Sequence, residues 1–129
     1  MSNPVNSPLV SDDGPALDLE VVGVLKELGG EENPELFREL VDTFAEDSPA
    51  RVEAIVASAA QGDADGLRTA AHGLKSSAAN MGATHLWRSC RALEELGRDG
   101  DLESARPIAT AVPGLFDLAL KSLQQEAAS

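Results

Sequence analysis

One histidine of this chain is placed where it could act as a nucleophile on the solvent side of a helix. Residues 71–83 read AHGLKSSAANMGA. Apolar residues at the spacing i, i+4, i+7, i+11 and i+14 predict a buried stripe made of Leu67, Ala71, Leu74, Ala78 and Met81. At about 100° per residue, His72 lies about 140° from the centre of that stripe, so we expect its ring in solvent. An exposed imidazole is largely uncharged at neutral pH and can attack an electrophile.

Two cations lie one helical turn from this histidine. Arg68 at i−4 and Lys75 at i+3 share the exposed face with His72. If the electrophile is a phosphoryl group, the product gains negative charge beside both cations, which can then hold it by charge-assisted hydrogen bonds. A histidine considered alone would be interpreted as a solvated surface residue, and it is the surrounding pattern that favours a reactive one.

The stretch resembles the signature of histidine-containing phosphotransfer domains, the HPt modules of bacterial phosphorelays, written approximately A-H-x-L-K-G-S-S-x-x-x-G-A. The matching positions are Ala71, His72, Leu74, Lys75, Ser77, Gly82 and Ala83. Ser76 stands where the family usually has glycine, which narrows access to the histidine without closing it. The helical pattern from about Leu17 to Gln125 is compatible with the family's all-helical architecture, so the resemblance covers most of the chain.

This resemblance implies a phosphorelay intermediate. His72 would accept a phosphoryl group from an aspartyl phosphate on a receiver domain and pass it to another receiver domain. The implied partners are response-regulator receiver domains and a hybrid sensor histidine kinase. We expect no cofactor on this chain, because Mg²⁺ would be held in the acidic pocket of the receiver. The sequence also lacks a glycine-rich phosphate cradle, so we expect a carrier rather than an enzyme.

The expected receiver-docking surface surrounds the histidine and uses small and basic side chains, namely Gly73, Ser76, Ala79, Arg88 and Arg91. Residues 68–98 carry five basic residues against two acidic ones, a local balance of +3 on a chain whose net charge is −12. Such a basic island suits an acidic pocket on a partner, although solvated helix faces often carry similar clusters by chance. The overall negative charge argues against nucleic acid or anionic membrane as a partner.

Other functions remain open from the sequence. The phosphoacceptor and dimerisation module of a histidine kinase also carries a histidine on a helical bundle, but its motif has an acidic residue where this chain has Gly73. An interaction-only helical adaptor that has lost transfer is a further alternative, and the His72–Lys75 pair counts against it. A metal site is weaker, because His85 lies 13 residues beyond His72 across a predicted helix break. We therefore expect His85 to be structural or solvated.

Composition and pattern predict one all-α domain. Aromatic residues make up only 3% of 129 residues, so the core must be aliphatic. Four amphipathic elements with short connections favour an antiparallel up-down-up-down four-helix bundle, preceded by a short N-terminal accessory helix. Residues 1–16 contain three prolines and no apolar period, which predicts a disordered head before an HPt-like bundle domain at 17–129. The sequence shows neither a leader nor a membrane-spanning run, so we expect a cytoplasmic protein. We also expect it to be a monomer.

Helix boundaries in the first half follow from caps and breakers. The accessory helix should stop at Gly29, because glycine supplies a helix exit. Asn33 as N-cap, with Pro34 at the first helical position, should start the second element. Pro49 makes residues 34–61 either one long bent helix or two stacked ones.

In the second half, Asp63 should cap the helix of the histidine and Gly82 should end it. Cys90 shares a stripe with apolar residues, which indicates core packing rather than reactivity. Pro107 and Pro113 fall within an otherwise helical apolar pattern, so the last element is expected to be a bent or divided helix.

Overall fold

The computed structural model describes residues 16–129, which form five α-helices and no strand. The helices are α1 (Leu19–Leu28), α2 (Leu36–Gln61), α3 (Ala64–Met81), α4 (Thr84–Asp99) and α5 (Leu102–Ala128). The predicted all-α class is confirmed. The predicted head lies outside the described residues apart from Ala16. Among residues 16–129, no helix combines the length and the apolar character needed to cross a membrane.

The four longer helices pack side by side in a ring. α3 lies between α2 and α4, and α5 contacts the same two helices from the other side. The core inside the ring is mostly aliphatic, with three buried phenylalanines, and its largest fully buried side chains include Ile55, Leu67, Leu74, Leu86 and Leu123. α3 is thus held on both flanks, which leaves one strip of its surface open to solvent.

The predicted apolar stripe is what attaches α3 to this core. Leu67, Ala71, Leu74 and Ala78 are fully buried, and Met81 is nearly so. Asp63 caps the helix as predicted, accepting a hydrogen bond from the Gly66 backbone N–H at 2.9 Å. Gly82 ends the helix with φ of +71°, a left-handed conformation that glycine adopts without strain. These features fix which face of α3 is exposed.

α3 and α4 form a tightly packed helical hairpin. They are joined through Gly82 and Ala83, and α4 returns along α3 until Gly97 reaches the first turn of α3. A methyl group at residue 97 would lie 3.0 Å from both the Ala64 carbonyl oxygen and the Arg68 backbone nitrogen. These distances are shorter than ordinary van der Waals contact, so a side chain at this position would push the two backbones apart by a few tenths of an ångström.

The accessory helix α1 closes one end of the ring. The Asp18 backbone N–H donates to the Gly82 carbonyl at 2.7 Å, which ties the start of α1 to the α3–α4 turn. Lys26 Nζ lies 2.7 Å from Glu126 Oε1, which ties α1 to the end of α5. The helix stops at Leu28, immediately before Gly29, as predicted.

The predicted start of α2 is wrong. The helix begins at Leu36 after Glu35, and no side chain caps it. Asn33 instead belongs to the tight connection between α1 and α2, where its backbone N–H donates to the Gly29 carbonyl at 2.9 Å and its carbonyl accepts from Leu36. Because the connection has engaged the Asn33 backbone, the first helical turn forms two residues later than the cap signal indicates.

Three prolines lie inside helices without dividing them. Pro49 is internal to α2, so the alternative of two stacked helices is excluded. Pro107 and Pro113 are internal to α5, so of the two alternatives for the last helix, bent or divided, the divided one is excluded. A proline in a helix interior costs about 3 kcal/mol. The buried face of α5 nevertheless continues unbroken through Ala105, Ile108, Ala109, Val112, Phe116, Ala119 and Leu123. Each large apolar side chain on it contributes about 1.5–3 kcal/mol, so packing outweighs the proline penalty.

Candidate functional site

His72 lies on the open strip of α3, as its position relative to the stripe predicts. Its side chain is 63% exposed. The ring is nonetheless held in one orientation, because Nδ1 lies 2.9 Å from Oε2 of Glu94 on the neighbouring helix α4. The histidine therefore combines access from solvent with a fixed direction.

Glu94 bridges the histidine and the lysine of the motif. Its Oε1 lies 2.6 Å from Lys75 Nζ while its Oε2 contacts His72. The hydrogen bond from Lys75, with a smaller contribution from His72, lowers the pKa of Glu94 below the usual value for glutamate. Glu94 is therefore an anion at neutral pH, on a side chain that is only 22% exposed.

This bridge determines the tautomer of the imidazole. A carboxylate offers only acceptor atoms, so His72 Nδ1 must carry the hydrogen that lies between it and Glu94. The neutral ring then has its lone pair on Nε2, which points away from Glu94. The arrangement can present an oriented nitrogen nucleophile, with an anion in place to stabilise the positive charge that the ring gains when Nε2 forms a bond.

Glu94 is not among the site residues predicted from the sequence, although the sequence contains a signal for it. His72 is 11 residues before Ala83 in the α3–α4 connection, and Glu94 is 11 residues after it. In a helical hairpin, residues equally distant from the turn lie side by side. Counting outward from the predicted break would have placed this carboxylate beside the histidine.

The cations of the predicted basic island divide into paired and unpaired ones. Lys75 is bound to Glu94, Arg91 Nε lies 3.5 Å from Glu95 Oε2, and Arg98 Nε lies 3.7 Å from Asp99 Oδ1. The Arg91 guanidinium also lies 5.5 Å from the centre of the Trp87 ring. The remaining two cations of the island, Arg68 and Arg88, are exposed. The free positive charge is therefore smaller than the local balance of +3 indicates.

The small residues of the predicted docking surface differ in their surroundings. Ser76 and Ala79 are exposed, and Ser76 Oγ donates to the His72 carbonyl at 3.3 Å. Gly73 is half-buried, because the side chain of Arg51 from α2 lies against it. Ser76 and Ala79 are thus accessible to a partner, whereas the side chain of Arg51 already fills the space beside Gly73.

The remaining candidate ligands are structural. His85 is buried, and Cys90 lies in the core as predicted. Burial, together with the nearby charge of Glu94, raises the pKa of the Cys90 thiol to about 12, so it stays protonated and unreactive. Within residues 16–129, no group of three or more His, Cys, Asp and Glu side chains is arranged to hold a metal ion.

Comparison with known proteins agrees with this geometry. The family model of the Hpt domain matches residues 39–126, and the chain belongs to this family. It is therefore a histidine phosphotransfer module, from a family of phosphotransfer carriers that interact with receiver domains and histidine kinases.

Among solved structures, the chain is similar to histidine-containing phosphotransfer protein B (HptB) from Pseudomonas aeruginosa PAO1. The two are 34% identical with a TM-score of 0.77, over 90% of this chain and 97% of that one. No curated protein sequence matches the chain.

Proposed function

We propose that this module is a phosphorelay intermediate in which His72 accepts a phosphoryl group from the aspartyl phosphate of one receiver domain and passes it to another receiver. The observation that carries the proposal is the orientation of His72, whose Nδ1 is bound to Glu94 while the opposite nitrogen is accessible. Membership of the Hpt family supports it.

The transfer step follows from this orientation. The lone pair of His72 Nε2 forms a bond to phosphorus while the bond between phosphorus and the aspartyl oxygen breaks, and the electron pair of that bond leaves with the regenerated aspartate carboxylate. The ring keeps its hydrogen on Nδ1 and becomes a phosphorylated imidazolium. Glu94 stabilises this new positive charge through the hydrogen bond that it already accepts. Return of the phosphoryl group to a second aspartate reverses each of these changes.

The partner would supply what this chain lacks. Mg²⁺ in the acidic pocket of the receiver would neutralise the charge of the transferring group. Docking would use the exposed surface around His72, namely Ser76 and Ala79 of α3 with Arg88 and Arg91 of α4. Gly73 would contribute together with the side chain of Arg51, which covers it. Lys75 and Arg68 remain candidates for contact with the phosphoryl group, although Lys75 is engaged by Glu94 before transfer.

We further infer an antiparallel up-down-up-down bundle for α2–α5, in a bundle domain spanning 17–129 that acts as a cytoplasmic monomer. The connection between α2 and α3 and the one between α4 and α5 are as short as the α3–α4 turn, and connections of this length join helices that run in opposite directions.

A phosphotransfer experiment tests the proposed function. The chain is incubated with a receiver carrying labelled aspartyl phosphate, and label on the chain is followed together with its passage to a second receiver. His72→Gln should fold normally and take up no label, whereas the parent chain should become labelled in an acid-labile, base-stable form. Labelling of the His72→Gln variant, or label found on His85, would overturn the assignment.

A further inference from the structure

Arg51 of α2 lies against the residue that follows the histidine. A methyl group at residue 73 would lie 2.5 Å from Arg51 Nε and 3.0 Å from its Cδ, so the side chain occupies the space that Gly73 leaves free. Consecutive Cα atoms are about 3.8 Å apart, which places this guanidinium beside the helical turn that carries His72. The glycine of the motif therefore admits a cation from another helix.

This cation is not neutralised by a neighbour. Arg51 is exposed, and it has no ion pair or hydrogen bond to any side chain among residues 16–129. Lys75 differs, because its Nζ is 2.6 Å from Glu94. Of Arg51 and Lys75, only Arg51 can bind an incoming anion without breaking an existing contact. Arg68, one helical turn before His72 on α3, has no ion pair among residues 16–129 either.

Arg51 also lies on the side toward which the reactive nitrogen turns. On the helical wheel, residue 73 is about 100° from His72 in one direction and Lys75 is about 60° from it in the other. Nδ1 is bound on the Lys75 side, toward α4, so Nε2 is directed away from α4. A group attached to Nε2 projects over the open strip of α3, whose border toward α2 is formed by Arg51.

We propose that Arg51 binds the phosphoryl oxygens once Nε2 of His72 is phosphorylated, an inference that rests on the proposed function. The guanidinium offers five donors that match a phosphoryl group, and rotation of an exposed side chain brings them across the strip within nanoseconds. The phosphoryl oxygens carry more negative charge in the phosphohistidine than in the loose transition state through which the phosphoryl group is lost. Arg51 therefore stabilises the phosphorylated state more than that transition state, and it prolongs the lifetime of the phosphohistidine.

The test uses a small phosphoryl donor, so that receiver docking plays no part. With phosphoramidate, Nε2 forms the bond to phosphorus while the P–N bond of the donor breaks and ammonia leaves, its third hydrogen taken from water. The donor is then removed, and the half-life of the phosphohistidine is measured for the parent chain, four single variants and one double variant. Arg51→Ala should shorten the half-life about two- to fivefold, the range expected for an exposed ion pair. Arg51→Lys should restore part of the loss.

Two further single variants and one double variant test whether the effect comes from the contact itself. Gly73→Ala should give the same loss as Arg51→Ala, because its methyl group displaces the guanidinium. The melting temperature should not fall, since alanine is the better helix former. Lys121→Ala removes an equal charge from α5, which does not flank α3, and should leave the half-life unchanged. In the double variant R51A/G73A the two losses should not add, since both remove the same contact.

Each result decides between the two proposals. If His72 is labelled and Arg51→Ala keeps the parental half-life, the inference about Arg51 is wrong and the proposed function stands. If the parent chain takes up no label on His72, the proposed function is wrong, and the inference about Arg51 is wrong with it. A direct check is the Arg51 Nε–H resonance, which should shift when His72 is phosphorylated in the parent chain and stay in place in Gly73→Ala. An unshifted resonance in the parent chain would overturn the contact.

Discussion

Glu94 on α4 holds Nδ1 of His72 on α3 at 2.9 Å through a hydrogen bond that crosses the helical hairpin. The same carboxylate binds Lys75 at 2.6 Å. One anion thus links the reactive ring, the lysine of the motif and the second helix of the hairpin, so its removal should affect both transfer and stability.

Replacing Glu94 by glutamine should slow phosphotransfer. The amide can still contact Nδ1, but it no longer opposes the positive charge that the ring acquires, and a partly exposed charge-assisted bond of this kind accounts for about a two- to tenfold effect. The measurement is the initial rate of label transfer from a phosphorylated receiver. Glu95→Gln is the matched control, because Glu95 is one residue away and pairs with Arg91 instead. Equal rates for the two variants would show that the bond to His72 does not contribute to transfer.

The Glu94 bridge should also make stability depend on pH. Because the pKa of Glu94 is lower in the folded chain than in the unfolded chain, its stabilisation is complete above the usual glutamate pKa and is lost as the pH falls through the lowered value. The free energy of unfolding of the parent chain should exceed that of Glu94→Gln by about 1 kcal/mol at neutral pH. Urea denaturation at a series of acidic pH values should show this difference disappearing. A difference that stays constant with pH would mean that the carboxylate charge is not its source.

A bulky residue at position 76 should block docking without disturbing the chemistry. Ser76 is exposed on the open strip, so Ser76→Phe should fold, and it should lose transfer from a receiver by steric exclusion. Ser76→Gly should keep or improve transfer. Phosphoramidate separates the two causes, because it should label Ser76→Phe as well as the parent chain. Normal transfer from the receiver to Ser76→Phe would place the docking surface elsewhere on the molecule.

A side chain at Gly97 should weaken the packing of α3 against α4. Gly97→Ala puts a methyl group 3.0 Å from two backbone atoms of α3, which can give way only if the packed helices shift apart, and this should destabilise the chain by about 1–3 kcal/mol. Gly114→Ala is the control, since a methyl group there meets nothing within 4 Å and alanine should stabilise α5 by up to about 1 kcal/mol. Urea denaturation measures both. If Gly97→Ala is as stable as Gly114→Ala, the close approach of the two helices is not present in solution.

The sequence predicts those features that depend on a single helix. The spacing from Leu67 to Met81 gives the buried face of α3, and from it the exposure of His72, because periodicity within one helix reports directly on burial. The features that it did not predict depend on two elements at once. The start of α2 shifts from Asn33 because hydrogen bonds to Gly29 and Leu36 hold this residue in the connection between α1 and α2. α5 continues undivided through its prolines because packing in the core outweighs their cost.

The site shows the same division. Lys75 and Arg68 were found by helical neighbourhood, whereas Glu94 and Arg51 come from the two flanking helices. Gly73 was predicted to belong to the docking surface. Its neighbour in the structure is Arg51, which is 22 residues away in the sequence and so does not show in the pattern of α3. Counting outward from the two turns would have anticipated both contacts, because Arg51 and Gly73 are each 11 residues from Gly62, just as His72 and Glu94 are each 11 residues from Ala83.

The close contact at Gly97 has an entropic consequence for the proposed relay. α3 and α4 pack closely when the chain folds, so the backbone that carries His72 is already ordered before a partner binds. A docking receiver then needs to immobilise little more than the side chains that it touches. Since the same rigid surface serves the arrival and the departure of the phosphoryl group, it favours neither, and the direction of flow is left to the relative free energies of the two receivers.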